Sequence, residues 1–419
     1  MSEFTPNPAR GKEVFELDRS FVFHSWSAQA QISPLPVATG QGSYFWDFDG
    51  KKYLDFSCQL VFTNIGFQHP KVIDAIKRQA DLLSTVAPQV ANEARGEAAK
   101  RIVGLASPHH KKVFFTNGGA DGVENAIRMA RLHTNRHKIL SFYRSYHGNT
   151  SAAISATGDP RRWPNEFAYG HVHFFGPYAY RSAFWSSSEE EECKRALEHL
   201  ESVITFEGPQ TIAAILIESV VGTAGVLIPP RGYLEGVRAL CDKYGILWIA
   251  DEVMSGFGRT GKWFAYQHSS AHPDLIVFAK GVNSGYVPLG GVVISGAVAT
   301  TFDERVFPGG LTYSGHPLAC AAAVATIDVM KEEKIVEHAA MMGEKVIGPG
   351  LRALAEKHPV IGEVRGQGVF WALDLVTDRA TRAPLAPYGG SSAAMNELVA
   401  ECKKLGLMPR SEEHTSELQ

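Results

Sequence analysis

The chain has 419 residues and a mass of 45.7 kDa, too long for one ordinary domain and in keeping with two or three. Apolar residues make up 45% and charged residues 20%, which excludes global disorder. With 41 Lys+Arg against 44 Asp+Glu, there is no electrostatic argument for a nucleic-acid or membrane-surface partner. No apolar run reaches bilayer length. The N-terminus, MSEFTPNPARGKEVFELDRS, lacks the apolar core of a signal peptide, so a cytoplasmic protein is expected. Five scattered cysteines form no CxxC pair and read as reduced thiols, not as a disulfide framework or a metal site.

In chain order, Tyr44 to Asp55 alternates around Asp49-Gly50 and predicts a hairpin. Lys112 to Thr116 reads as a strand, Gly119 to Leu132 as a helix and Lys138 to Tyr143 as a strand. Ser186-Ser-Ser-Glu-Glu-Glu-Glu192 reads as a helix start, with serine at the cap and acids facing the dipole's positive end. Thr211 to Glu218, Ile246 to Asp251, Leu275 to Ala279 and Gly291 to Ser295 read as apolar strands, with a helix over Gly232 to Tyr244. Such strands alternating with helices predict an α/β fold with a parallel sheet covered on both faces. A long helix follows from Pro317 to Lys331. From Glu333 to Leu407, helices alternate with short strands such as Gly368 to Leu375, the pattern of a smaller α+β domain. Ser392 to Lys404 reads as a helix running into the strand-like Gly406-Leu-Met-Pro409.

Two strand ends carry the chemistry. Leu247-Trp-Ile-Ala-Asp251 closes an apolar strand with an acid, and Leu275-Ile-Val-Phe-Ala-Lys280 closes another with a lysine. Ligands of open α/β sheets bind at such ends, and a partly desolvated lysine becomes nucleophilic. Each alone is commonly structural: a turn acid, or a solvated lysine. Asn117-Gly-Gly119-Ala120-Asp-Gly122 is a glycine-bearing turn before a helix, suited to a single phosphate. GxGxxG and GxxxxGK[ST] are absent, so neither a dinucleotide site nor a Walker loop is supported. Tyr146-His147-Gly148 offers an aromatic face for a planar ring. Together these features ask for a ligand with a phosphate, an aldehyde, a flat ring and a protonatable ring nitrogen. Pyridoxal 5′-phosphate has all four, with Asp251 on the nitrogen and Lys280 on the aldehyde.

The chain resembles the class III (subgroup II) aminotransferases of the fold-type I family, from about Tyr53 to Leu407. The resemblance is carried by Asp251-Glu-Val-Met-Ser-Gly256-Phe-Gly-Arg-Thr-Gly261, Phe278-Ala-Lys280-Gly281, Pro288-Leu-Gly290-Gly291, Tyr146-His147-Gly148 and Thr312-Tyr-Ser-Gly-His-Pro317. It implies a large domain with a mostly parallel seven-stranded sheet, and a small α+β domain built from both chain ends. The expected divisions are residues 1–58, 59–311 and 312–409. It also implies that Gly119 and Ala120 hold the phosphate through their backbone, that Tyr146 stacks on the ring and that Val253 packs on its other face. Asp251 and Lys280 are the implied catalytic pair, with His147 and Glu218 nearby. Thr312 would reach the phosphate of the other subunit, which implies a homodimer with a shared active site, or a tetramer built on it.

Departures from the family pattern narrow the substrate. The phosphate turn lacks the usual hydroxyl residue, and the family's Glu-Pro pair is Glu218-Ser219. Asn149 and Thr223 stand where GABA and ornithine members carry an arginine and a switch glutamate. The chain therefore resembles the ω-amino acid:pyruvate and amine:pyruvate members. Val61 falls nearest a tryptophan common in their amine pocket, and Trp26 is a further candidate wall, beside Tyr146. Arg410 falls near the family's substrate-carboxylate arginine. It also opens RSEEHTSELQ, which matches the in-frame translation of a common sequencing adapter, so residues 410–419 are expected to be foreign to the natural chain. The expected activity is amino transfer from an amine or ω-amino acid to pyruvate. The alternatives are an aminomutase, racemase or decarboxylase on the same scaffold, or a cofactor-binding dimer weakened by a truncated C-terminus.

Overall fold

The computed structural model describes residues 4–165 and 168–410, and the backbone of Glu417–Leu418. Its centre is a seven-stranded sheet: β1 (His110–Thr116), β2 (Lys138–Phe142), β3 (His171–Phe174), β4 (Ile212–Glu218), β5 (Leu247–Asp251), β6 (Leu275–Phe278) and β7 (Gly290–Ser295). The spatial order is β1-β7-β6-β5-β4-β2-β3. The strands β6, β5, β4, β2 and β3 pair in parallel, and β7 runs antiparallel to both of its neighbours.

Every residue of β4 and β5 is buried, because each strand is apolar on both faces and both faces are covered. Ile215, Ile217, Trp248 and Ala250 pack into one core. Their alternates Ala214, Leu216 and Ile249 pack into a second, with Val123 and Ile127 of the helix Gly119–Thr134. That helix sits close on the sheet because Gly122 has no side chain: a Cβ there would lie 2.8 Å from Val277 Cγ1. The close approach sets the helix N-terminus beside the strand ends that carry Glu218 and Asp251.

The predicted hairpin forms as Tyr44–Asp47 and Lys52–Leu54, with Gly50 at φ 87° in its turn, and adds Val37–Gln41 as a third strand. Leu54 bridges Leu407 in parallel, so Gly406-Leu-Met-Pro409 makes a single bridge and not a strand. Ile361–Gln367 and Phe370–Asp378 form the antiparallel pair of the C-terminal region, under the helix Gly348–Lys357. Strand β3 is not apparent in the sequence because His171-Val-His-Phe174 is short and half polar. The suspected foreign segment lies outside the described residues except for Arg410 and the Glu417–Leu418 backbone. No helix among the described residues is long and apolar enough to cross a membrane.

The acidic run does start a helix, Glu189–Glu207, capped by the Ser188 side chain on the Glu191 N–H at 3.2 Å. Its fourth acid does more than face the helix dipole. Glu192 is fully buried, accepting the Tyr178 N–H at 2.7 Å and hydroxyls from Ser182 and Ser186. It anchors the segment 178–186 instead of facing solvent. Glu192→Ala leaves three donors without an acceptor and is expected to cost about 2–4 kcal/mol in chemical unfolding. A loss below about 0.5 kcal/mol would place Glu192 with ordinary surface residues.

Candidate active site

Glu218 and Asp251 end neighbouring parallel strands and are register partners. The two residues are only 4% and 3% exposed, which is tolerable because each carboxyl is satisfied by hydrogen bonds. Asp251 Oδ2 lies 2.7 Å from His147 Nδ1, and Asp251 Oδ1 accepts the Val253 N–H at 3.0 Å. Glu218 accepts the Tyr146 N–H at 3.2 Å and the Gly222 N–H at 2.8 Å. His147 is itself pinned by its N–H on Thr157 Oγ1 at 3.0 Å. Burial opposes a charged His147 ring, but the hydrogen bond and charge of Asp251 outweigh it and raise its pKa. Burial pushes Glu218 up to about 7, with His147 and the two N–H donors opposing and the Asp251 charge reinforcing.

The glycine-bearing turns converge on the same place. A Cβ on Gly119 would meet Val253 Cγ2 at 2.9 Å, and one on Gly148, at φ 131°, would meet the Ala120 Cβ at 2.5 Å. The 119–120 turn, the 146–148 turn and Val253 are thus in direct contact. No side chain caps the helix that starts at Gly119, and nothing would obstruct a Cβ on Gly118. Its first N–H groups and dipole therefore face open space, the setting for an anion. Lys280 is held at φ 47°, a left-handed conformation rare outside glycine. Its pKa is pushed down to about 8, first by burial and then by the Arg410 charge, against the pull of Asp251 and Glu218.

A cavity of about 510 Å³ opens beside Tyr146, lined by Trp26, Gln59, Leu60, Arg161 and Arg410. Trp26 meets Tyr146 edge-on at 6.5 Å between ring centroids. Arg161 lies over the Tyr146 ring at 3.7 Å and is held by the buried carboxylate of Asp159. Arg161 carries no motif and was not anticipated; the only local signal is Asp159-Pro160, which caps the turn Pro160–Arg162. Val61 is placed elsewhere. It packs with Val220, Met254 and Phe370, and Gln59 and Leu60 form the cavity wall at that point. Thr312 stands exposed in a turn outside the cavity, beside Tyr313, which is 61% exposed. No group of three or more metal-ligating side chains occurs among the described residues.

A family model for aminotransferase class III matches residues 26–415, and the chain belongs to that family. It is 33% identical to a taurine–pyruvate aminotransferase of Bilophila wadsworthia, over 94% of this chain and 88% of the relative. It is 34% identical to another of that name from Rhodobacter capsulatus, over 96% and 90%. A solved taurine:2-oxoglutarate aminotransferase of Bifidobacterium kashiwanohense superposes with a TM-score of 0.94 at 45% identity, covering 100% of this chain and 93% of its own. An (S)-enantioselective omega-transaminase from Thermomicrobium roseum superposes with a TM-score of 0.90 at 36% identity, over 98% and 94%.

The chain is thus a transaminase dependent on pyridoxal 5′-phosphate. Its residues fit that group on their own evidence. The uncapped helix N-terminus suits a phosphate, Lys280 is a desolvated amine, and Asp251 is a buried carboxylate held by His147. When bound, the cofactor supplies an aldehyde for amines and an electron-withdrawing ring.

The raised pKa of Glu218 has a consequence for stability. The folded cofactor-free protein keeps a proton that the unfolded carboxyl releases near 4.5. Folding stability should therefore fall as pH rises from about 4.5 to about 7, by on the order of 3 kcal/mol from this group. Glu218→Gln should flatten the fall in denaturant midpoints across that window. An equally steep fall in the variant would contradict the assignment.

Proposed function

We propose that the enzyme moves the amino group of a small amine with a terminal acidic group, taurine foremost, to pyruvate. The observation that carries this reading is Arg161, lying over Tyr146 and lining one cavity with Trp26. A guanidinium held there by Asp159 and stacked on an aromatic ring suits a sulfonate or carboxylate at the far end of a short donor. Taurine is in the names of three of the relatives above, which supports the same donor class. Pyruvate is favoured by Thr223 and Asn149, which provide no switch glutamate and no arginine for a second carboxylate. The taurine:2-oxoglutarate neighbour supports a second acceptor reading at 45% identity.

In this reading Lys280 would hold the cofactor through its aldehyde, and its amine would move the proton at the amine-bearing carbon of the donor. Asp251, oriented by His147, stabilises the protonated ring nitrogen. The backbone of Gly119 and Ala120 binds the phosphate, and Tyr146 and Val253 enclose the ring. Thr312 would contact the partner subunit's phosphate in a homodimer, a role that its exposure supports. The working division is a cofactor domain over 59–311 and a small domain from 1–58 with 312–409, in a cytoplasmic enzyme.

Three measurements test this reading. A half-reaction panel of taurine, β-alanine, GABA, putrescine and (S)-1-phenylethylamine should show taurine bleaching the holoenzyme's visible band fastest. Pyruvate should restore the band and yield alanine. Restoration by 2-oxoglutarate alone would replace the pyruvate assignment. Arg161→Ala should raise KM for taurine roughly 10- to 100-fold, the worth of a charge-assisted hydrogen bond, while KM for (S)-1-phenylethylamine stays within about threefold; an equal loss for both donors contradicts the role. Borohydride reduction followed by peptide mapping should place the cofactor's mass on Lys280 and on no other residue.

A further inference from the structure

A second cavity, of about 90 Å³, lies between the end of β2 and the segment around Phe175–Ala183, with room for several water molecules. Its charged wall residues are Arg144, Arg181 and Glu218. Two of the three are matched within the protein. Arg181 is bidentate to the fully buried Asp374, at 2.7 and 2.8 Å. Glu218 is held by the N–H groups of Tyr146 and Gly222, and its raised pKa thins its negative charge near neutrality.

Arg144 differs from both. Its guanidinium carbon lies 5.4 Å from the ring centroids of both Tyr178 and Tyr388. Those are cation–π contacts, and among the described residues no carboxylate or carbonyl accepts from its side chain. Its backbone stands at φ 66°, the left-handed region that a bulky residue occupies only when its surroundings enforce it. Rings that contact a guanidinium's faces leave its N–H edge for an acceptor, and the acceptor that matches this edge best is a planar or tetrahedral oxyanion.

We propose that this cavity binds a small oxyanion, of carboxylate or sulfate size, through the N–H edge of Arg144. None of its wall residues is shared with the cavity of Trp26 and Arg161. The bound anion would put negative charge opposite Glu218, favouring retention of its proton. It would also brace the junction where Arg181 meets Asp374. The inference stands independently of the donor and acceptor assignments, because its test reads stability and not turnover.

The experiment is thermal unfolding of the holoenzyme with sodium acetate or sodium sulfate added, ionic strength being held constant with sodium chloride. Site binding predicts a saturable Tm rise of about 1–3 °C in the wild type and in Arg161→Ala, and no saturable rise in Arg144→Gln. A rise that is linear in salt, or equal in the wild type and Arg144→Gln, is a general solvent effect and overturns the proposal. A rise lost in Arg161→Ala and kept in Arg144→Gln assigns the anion to the substrate cavity and overturns it as well. A saturating effect of one anion and not the other selects between carboxylate and sulfate chemistry within the proposal. Should Arg144→Gln fail to fold, crystals of the wild-type holoenzyme soaked separately in selenate and in acetate give the second reading. Density for either anion beside Arg144 supports the site, and the absence of both there overturns it.

Discussion

The hydrogen bond between His147 Nδ1 and Asp251 is the contact on which the rest of the arrangement depends. A carboxylate at 3% exposure is costly unless it is paired and hydrogen-bonded. Here the partners come from two directions, the His147 ring and the Val253 backbone. Each brings its own neighbours. Val253 packs onto Gly119 at the start of the helix Gly119–Thr134. His147 carries Tyr146 and Gly148 with it, and these reach Glu218 and Ala120. One buried acid is thus the point at which the turns after β1, β2 and β5 are registered against one another.

The second structural tie is also a buried acid. Asp374, on the antiparallel pair of the C-terminal region, is fully buried and takes both Arg181 contacts and the Tyr178 hydroxyl at 2.7 Å. Removing either partner of such a group is far more damaging than replacing both. The tie fixes the C-terminal sheet against the segment 178–181, which Glu192 in turn anchors to the helix Glu189–Glu207. The cavity beside Tyr146 is likewise walled by residues distant in sequence, Trp26 on one side and Met408 and Pro409 on the other.

Much of the central sheet was legible because its strands are continuous apolar runs of strand length, and the predicted ends fall within about two residues of the observed ones. Asp251 and Lys280 were legible because each charged residue closes such a run. Strand β3 was not, since the alternation of His171-Val-His-Phe174 lasts only four residues, too short to stand out. The antiparallel direction of β7 was not either: its composition matches the parallel strands, and direction is set by the connection, which periodicity does not encode. Arg161 and Arg144 were missed for a different reason. Their environments consist of rings and carboxylates brought together by tertiary structure, and a lone arginine in a turn gives no local signal. The burial of Glu192 was not legible because it depends on Tyr178, Ser182 and Ser186 folding back over the helix start.

The central claim is that the buried Asp251 carboxylate makes the cofactor ring an electron sink, with the fold serving to hold it there. Asp251→Asn, which keeps an acceptor for the Val253 N–H and a polar partner for His147 while removing the charge, tests it most directly, checked for folding by circular dichroism and for bound cofactor by its visible band. The account predicts retained fold and band with kcat reduced by about 100-fold or more, the scale for loss of a dominant electrostatic group. Turnover within a few-fold of wild type at full cofactor occupancy would contradict it.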